Sequence, residues 1–373
     1  MDRLEQVLDL AREAGFDLAG VAPLRPPRDL ARLDRWLAEG RHGELEWMRR
    51  ARERIADPRA LLPTGRSILI VGLAHSRAAV ELEGGARVAR YAAGRDYHNV
   101  VGRQLLKLRS RLVAEGLYSA DRPFRKVVDA GPLLERSHAA EAGLGFASKA
   151  ANLLHPRLGP WFFLGELLLE LDLEPTGAPP PGSCGTCRLC LDACPTAAIV
   201  APGVVDARRC ISYHTIESRQ PVPPELRPAI GSWGFGCDVC SEACPWGSRA
   251  PDLSARWGSH RAVEGGPLLW LQTRDETAFK GLTVGSPLRR PGRAGLARNA
   301  AVVLGNRPSE AGRSALLEAL SSDPAGLVRE AAAWALLRGH GDDSGTRAAI
   351  EHAARLEPEP WAGRAMRAAL AQS

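Results

Sequence analysis

The chain has 373 residues, 45% of them hydrophobic and 25% charged, with a formal net charge of +6. That length exceeds one small core and predicts two or three domains. No apolar run approaches the roughly 20 residues a membrane span needs, and so mild a charge excess does not by itself define a partner.

In chain order, the opening stretch MDRLEQVLDLAREAGFDLAG carries acidic residues at once and sets Leu4, Val7, Leu8 and Ala11 on one helical stripe. It has neither the basic end and apolar block of a secretory signal nor a twin-arginine leader, so a cytoplasmic protein is expected. SILIVGLA (67–74) and RKVVD (125–129) read as strands, VGRQLLKLRSRLVAEG (101–116) as a helix with a glycine stop, and WFFLGELLLELDLEP (161–175) as a further strand. No strand order follows from these signals. PTGAPPPGS (175–183) is a break, since its prolines continue neither a helix nor a central strand. Beyond residue 261 the pattern becomes short alanine- and leucine-rich helices. There Arg298-x-Ala-Ala and Arg329-x-Ala-Ala align, with a weaker echo at Arg367, as in stacked helix pairs of the HEAT type. The fold class expected is α+β. It comprises an N-terminal α/β domain (1–175), a bacterial-ferredoxin-like domain (176–260) and HEAT-like helical repeats (261–373).

All eight cysteines fall between residues 184 and 244. The first run, CGTCRLCLDACP, has the spacing C-x2-C-x2-C-x3-C-P of bacterial ferredoxins, in which the fourth cysteine serves the other cluster. The second run, CDVCSEACP, lacks one member, which the isolated Cys210 supplies. The crossover rule then gives Cys184, Cys187, Cys190 and Cys244 to one [4Fe–4S] cluster, and Cys194, Cys210, Cys237 and Cys240 to the other. Two zinc sites would want paired C-x2-C knuckles, which the three-cysteine ladder fits badly; a disulfide framework suits a cytosolic chain still less.

Several stretches stand in a particular order: RYAAGRDYHNV (90–100), VDAGPLLERSHAAEAGLGFASKAANLLHP (128–156), WFFLGELLLELDLEP, the ladder, CISYHTIES (210–218) and FGCDVCSEACPWG (235–247). Together they resemble the epoxyqueuosine reductase family. The resemblance implies a cobalamin held base-off near the clusters, a tRNA with a queuosine-type wobble base as substrate, and an external electron donor. It also puts the family's general acid at Asp129, with a pKa expected to be raised by burial against a corrin face. Ser212 and Asn152 fall at positions suited to hydrogen bonding the corrin, and Tyr213 joins them near a cluster. Lys149, one of only four lysines, is expected to meet a cofactor or a tRNA phosphate. The common cobalamin box D-x-H-x-x-G is missed by one residue in DYHNVVG (96–102), so Asp96 and His98 are set aside as a chance match. GLGFAS lacks the third glycine of a dinucleotide site.

No acidic residue occurs from Thr277 to Ser309. Of the basic residues there, which also include Arg307, Lys280, Arg289, Arg290, Arg293 and Arg298 are expected to bind tRNA phosphates. Two other readings stay open on sequence: a reductive dehalogenase acting on small molecules, and an electron-transfer protein without a catalytic centre.

Overall fold

The structure is a computed structural model that describes residues 2–75, 78–177 and 182–372. The break at 175–183 therefore lies partly outside the described residues. The chain divides into two compact units. One comprises Met1–Ala78, Asp96–Arg208 and Val239–Trp257; the other comprises Ala79–Arg95, Arg209–Asp238 and Gly258–Ser373. Three consecutive domains were expected, yet the backbone leaves the first unit twice. Residues 79–95 and 209–238 supply strands to a small sheet of the second unit, in which Arg87–Val88 lies between Val80–Glu81 and Trp233–Phe235. Composition along a chain carries no mark of such excursions, because each strand has only ordinary turn signals around it.

The first unit is built from α1 (Arg3–Glu13), β1 (Leu18–Pro23), β2 (Ser67–Ala74), α2 (Tyr97–Ala114), β3 (Phe124–Val127), α3 (Glu135–Glu141) and β4 (Phe162–Leu169). The strands form one sheet in the order β1–β2–β4–β3. Every pairing is antiparallel, so this part is α+β in character rather than the α/β arrangement expected for it. β2 is buried along its whole length, which is why SILIVGLA shows no polar alternation. β4 lies between β2 and β3, and α2 rests against it. A Cβ at Gly165 would come within 2.7 Å of the Val101 side chain, so only glycine allows the helix this close. α2 starts where Asp96 accepts the His98 amide at 3.0 Å, satisfying an amide that the helix leaves unpaired.

The second unit ends in five helices, α4 (Gly292–Asn306), α5 (Glu310–Ser322), α6 (Gly326–His340), α7 (Ser344–Leu356) and α8 (Pro360–Gln372). Ser309 and Asp343 cap α5 and α7, accepting the amides of Gly312 and Thr346 at 3.1 and 2.7 Å. Small residues bring α4 and α6 together, since a Cβ at Gly305 would meet Ala335 Cα at 2.7 Å. Ala297, Ala300, Ala301, Ala331, Ala332 and Ala335 are buried in the shared core. The arginines of the aligned motif are internal ties. Arg298, 1% exposed, donates to the carbonyls of His214, Ser218 and Gln220. Arg329 bonds the Asp323 carbonyl and the Glu357 carboxylate, and Arg367 bonds the Ala354 carbonyl at 2.7 Å. Among the described residues no helix is long and apolar enough to cross a membrane.

Candidate functional site

Two regions of the first unit carry the chemistry. In one, Cys184, Cys187, Cys190 and Cys244 line a single cavity together with Cys240, Asn152 and Ser241. Two short helices, Leu189–Asp192 and Val239–Glu242, bring the two cysteine runs to this place. Among the described residues no three His, Cys, Asp or Glu side chains are grouped tightly enough to hold a single metal ion; the thiols are arranged around a volume instead. Burial, and then the charge on Cys184, Cys244 and Cys187, push the Cys190 thiol up. Four thiolates so placed need positive charge among them, which an iron–sulfur cube supplies. The donor set therefore fits an iron–sulfur cluster, with Cys240 of the other quartet on the same wall. Of the other four, Cys194 accepts the Ala198 amide at 3.3 Å and, like Cys240, belongs to this unit, whereas Cys210 and Cys237 belong to the second.

Lys149 is tied to the first cysteine run. Its Nζ donates to the carbonyls of Gly185 and Cys187 at 2.7 and 2.9 Å, bracing the loop between two cysteines of the quartet. Asn152 donates to Ser241 Oγ at 3.1 Å on the wall of the same cavity. Ser212 and Tyr213 sit on the second unit's helix Ile211–Ile216, where the Tyr213 ring is buried and edge-on to His214 at 5.1 Å.

The other region surrounds Asp129, in the turn that follows β3. Its φ is +56°, a left-handed conformation costing about 1 kcal/mol for a residue with a Cβ. Its amide donates to Glu135 Oε1 at 2.7 Å. Tyr97 donates its hydroxyl to Asp129 Oδ2 at 2.6 Å, and His98 Nε2 lies 3.4 Å from the same oxygen. His98 Nδ1 lies 2.8 Å from Asp96 Oδ1. The Tyr97 ring stacks on His98 at 4.1 Å and on Phe163 at 4.3 Å, which fixes both donors over the carboxylate.

This geometry reverses the expected charge state of Asp129. Desolvation would raise its pKa, but the hydrogen bonds from His98 and Tyr97 outweigh it and hold the carboxyl below its usual range. Desolvation likewise opposes charge on His98, and its hydrogen bonds to Asp129 and Asp96 prevail, raising it to about 9. At neutral pH the proton therefore rests on His98, between two carboxylates. The expected rise rests on an apolar face against the carboxyl, whereas the neighbours within the chain, the Tyr97 hydroxyl and the His98 cation, act in the other direction. Sequence reading missed Tyr97, His98 and Glu135. The aspartate before a helix signals only a cap, and nothing in DYH points 31 residues ahead.

The basic stretch divides in two. Arg293 and Arg298 are buried; Arg293 forms a two-pronged pair with Asp323 at 2.9 Å, and Arg298 ties backbone carbonyls. Neither faces solvent, so both leave the phosphate-binding set. Arg289 is exposed, Arg290 is exposed and paired with Glu217 at 3.0 Å, and Lys280 is exposed 3.9 Å from Glu276. Charge counted along a sequence does not separate a helix's inner arginines from its outer ones.

Comparison with known proteins bears on both regions. Residues 183–247 match the 4Fe-4S double cluster binding domain, and residues 55–130 match the family described as Epoxyqueuosine reductase QueG, DUF1730. An epoxyqueuosine reductase of Xanthomonas campestris is 42% identical over 353 residues, covering 91% of this chain and 97% of its own. One from Pseudomonas aeruginosa is 39% identical, covering 91% and 94%. Among solved structures, an epoxyqueuosine reductase with an epoxyqueuosine-modified tRNA-Tyr stem loop superposes with a TM-score of 0.86, at 27% identity and 98% and 97% coverage. The Bacillus subtilis epoxyqueuosine reductase, solved with its catalytic aspartate loop swung out of the active site, gives 0.84 at 26% identity, with the same two coverages. With relatives this similar along nearly its whole length, the chain belongs to the epoxyqueuosine reductase family of oxidoreductases.

Proposed function

We propose that this chain removes the epoxide oxygen of epoxyqueuosine in tRNA to give queuosine, with electrons entering through two [4Fe–4S] clusters and a base-off cobalamin. Family membership carries the reading, supported by a solved relative that holds an epoxyqueuosine-modified tRNA stem loop. Leaving an alkene and releasing the oxygen as water takes two electrons and two protons. Clusters pass electrons singly, so an external donor must deliver them one at a time, and cobalamin, when bound, supplies the two-electron centre they lack. Each ring nitrogen of His98 faces a carboxylate, so its imidazole is committed to Asp96 and Asp129 and would not be free to hold the cofactor. Asn152, Ser212 and Tyr213 are the residues we assign to the cofactor, while Lys149 supports the first cluster loop.

Asp129 is the group we assign to proton delivery, and the B. subtilis relative likewise has an aspartate on its catalytic loop. In the resting state Asp129 is ionised and hydrogen-bonded to Tyr97. As it gives a proton to the departing oxygen, it draws that proton from His98, whose pKa of about 9 keeps the supply filled at neutral pH. Tyr97 orients the carboxylate. Lys280, Arg289 and Arg290 are the proposed phosphate contacts, on an array we read as HEAT-like, and the cytoplasm, where tRNA is found, is the proposed compartment. The test is direct. Protein reconstituted with iron, sulfide and cobalamin, given a reductant and epoxyqueuosine-containing tRNA, should yield queuosine on nucleoside mass spectrometry. Intact clusters with no conversion would reduce the chain to an electron carrier.

A further inference from the structure

A glutamate in the middle of an apolar strand requires a reason. Glu166 is fully buried on β4, opposite Ile70 of β2 and Val127 of β3. Neither carboxyl oxygen finds a donor, and an isolated buried carboxylate is strongly disfavoured. α3 packs against β4, and its Glu135, which accepts the Asp129 amide at 2.7 Å, is the charged group that acts most strongly on Glu166. Two carboxylates have no hydrogen to share; one proton between them provides it. Burial, then the Glu135 charge, push Glu166 well above its usual range. Burial, then the Asp129 charge, push Glu135 up to about 7, with Arg136 the cation facing it. Asp129 meanwhile holds a left-handed conformation that its own Cβ disfavours.

We propose that Glu166 is a positioning residue for the reaction: kept neutral within the sheet, it donates a hydrogen bond to Glu135, and the two carboxyls form a strut that holds the Asp129 turn beside Tyr97 and His98. The proposal deepens the function just given and rests on Asp129 being the proton-delivering residue. The strut needs one proton. When the pair loses it, two adjacent negative charges and Asp129 repel, and the turn is released.

The test compares Glu166→Leu, which fills the space without a donor, with Glu166→Gln, which keeps one. Hydrogen exchange of the peptide spanning residues 127–133 is read in the cluster-loaded protein, beside its melting temperature. In Glu166→Leu that peptide should exchange about tenfold faster while the melt holds, and kcat should fall about tenfold with little change in KM. Glu166→Gln should restore both. Glu135→Ala, at the start of α3 rather than inside the sheet, should speed the same exchange even if Glu166→Leu fails to fold. Unchanged exchange in Glu135→Ala, or Glu166→Gln behaving as Glu166→Leu does, overturns the strut. Full turnover by Asp129→Asn would instead remove the proton-delivery role and leave the exchange result standing.

Discussion

Tyr97 donates its hydroxyl to Asp129 at 2.6 Å while its ring is stacked on Phe163 with the planes 4° apart, so the phenol is fixed before any substrate arrives. Asp129→Asn should lower kcat by about 10²–10⁴, the usual range for losing an acid–base group, with both clusters retained in the visible spectrum. Tyr97→Phe removes one hydrogen bond to a charged group and should cost about tenfold in kcat. Turnover near wild type in Asp129→Asn would remove it from the chemistry.

The His98 pKa sets a pH window. Because it is raised from 6.5 to about 9, the stabilisation it gives is fully present below pH 6.5 and is lost as pH climbs through 9. kcat should decline over the same alkaline limb, and His98→Gln should flatten that limb in both activity and melting temperature. A His98→Gln profile that still falls near pH 9 would assign the titration elsewhere.

Cys244→Ser breaks the quartet lining the cavity. Iron per chain should drop from about eight to about four, with one cluster's paramagnetic signal surviving on reduction. Loss of a single zinc ion, with no iron present, would overturn the cluster assignment.

Arg289 and Arg290 should act on tRNA, and Arg293 on the fold. Replacing the first two with glutamine should weaken binding and reduce the salt slope by about 0.7–0.9 for each phosphate no longer neutralised. Arg293→Ala leaves Asp323 buried without its partner, which costs about 3–5 kcal/mol and should appear as a lower melting temperature. An unchanged salt slope in the double variant would remove those residues from the tRNA surface.

Much of this was legible in the sequence where spacing and chemistry coincide. Cys184, Cys187, Cys190 and Cys244 converge because a ladder around a cube leaves little freedom of pairing, and SILIVGLA occupies residues 67–74 as a strand. What was hidden depends on tertiary approach. His98 lies within reach of Asp129 only because α2 lies against β4, next to β3. Glu166 drew no notice within a stretch read as a strand, since Glu135 lies 31 residues away on a helix. Arg293 and Arg298 looked like surface charge because helical phase is weak in a segment of alanines and glycines, where both faces are packed.

The buried guanidinium ties of the second unit have a consequence for how the protein responds to alkali. Arginine keeps its charge far beyond any buffer in use, so the network that Arg298 and Arg329 hold should ignore a rise in pH that empties His98 and parts the Glu135–Glu166 pair. Base should therefore silence the enzyme while its helical half stays folded, and returning the solution to neutrality should revive it without refolding.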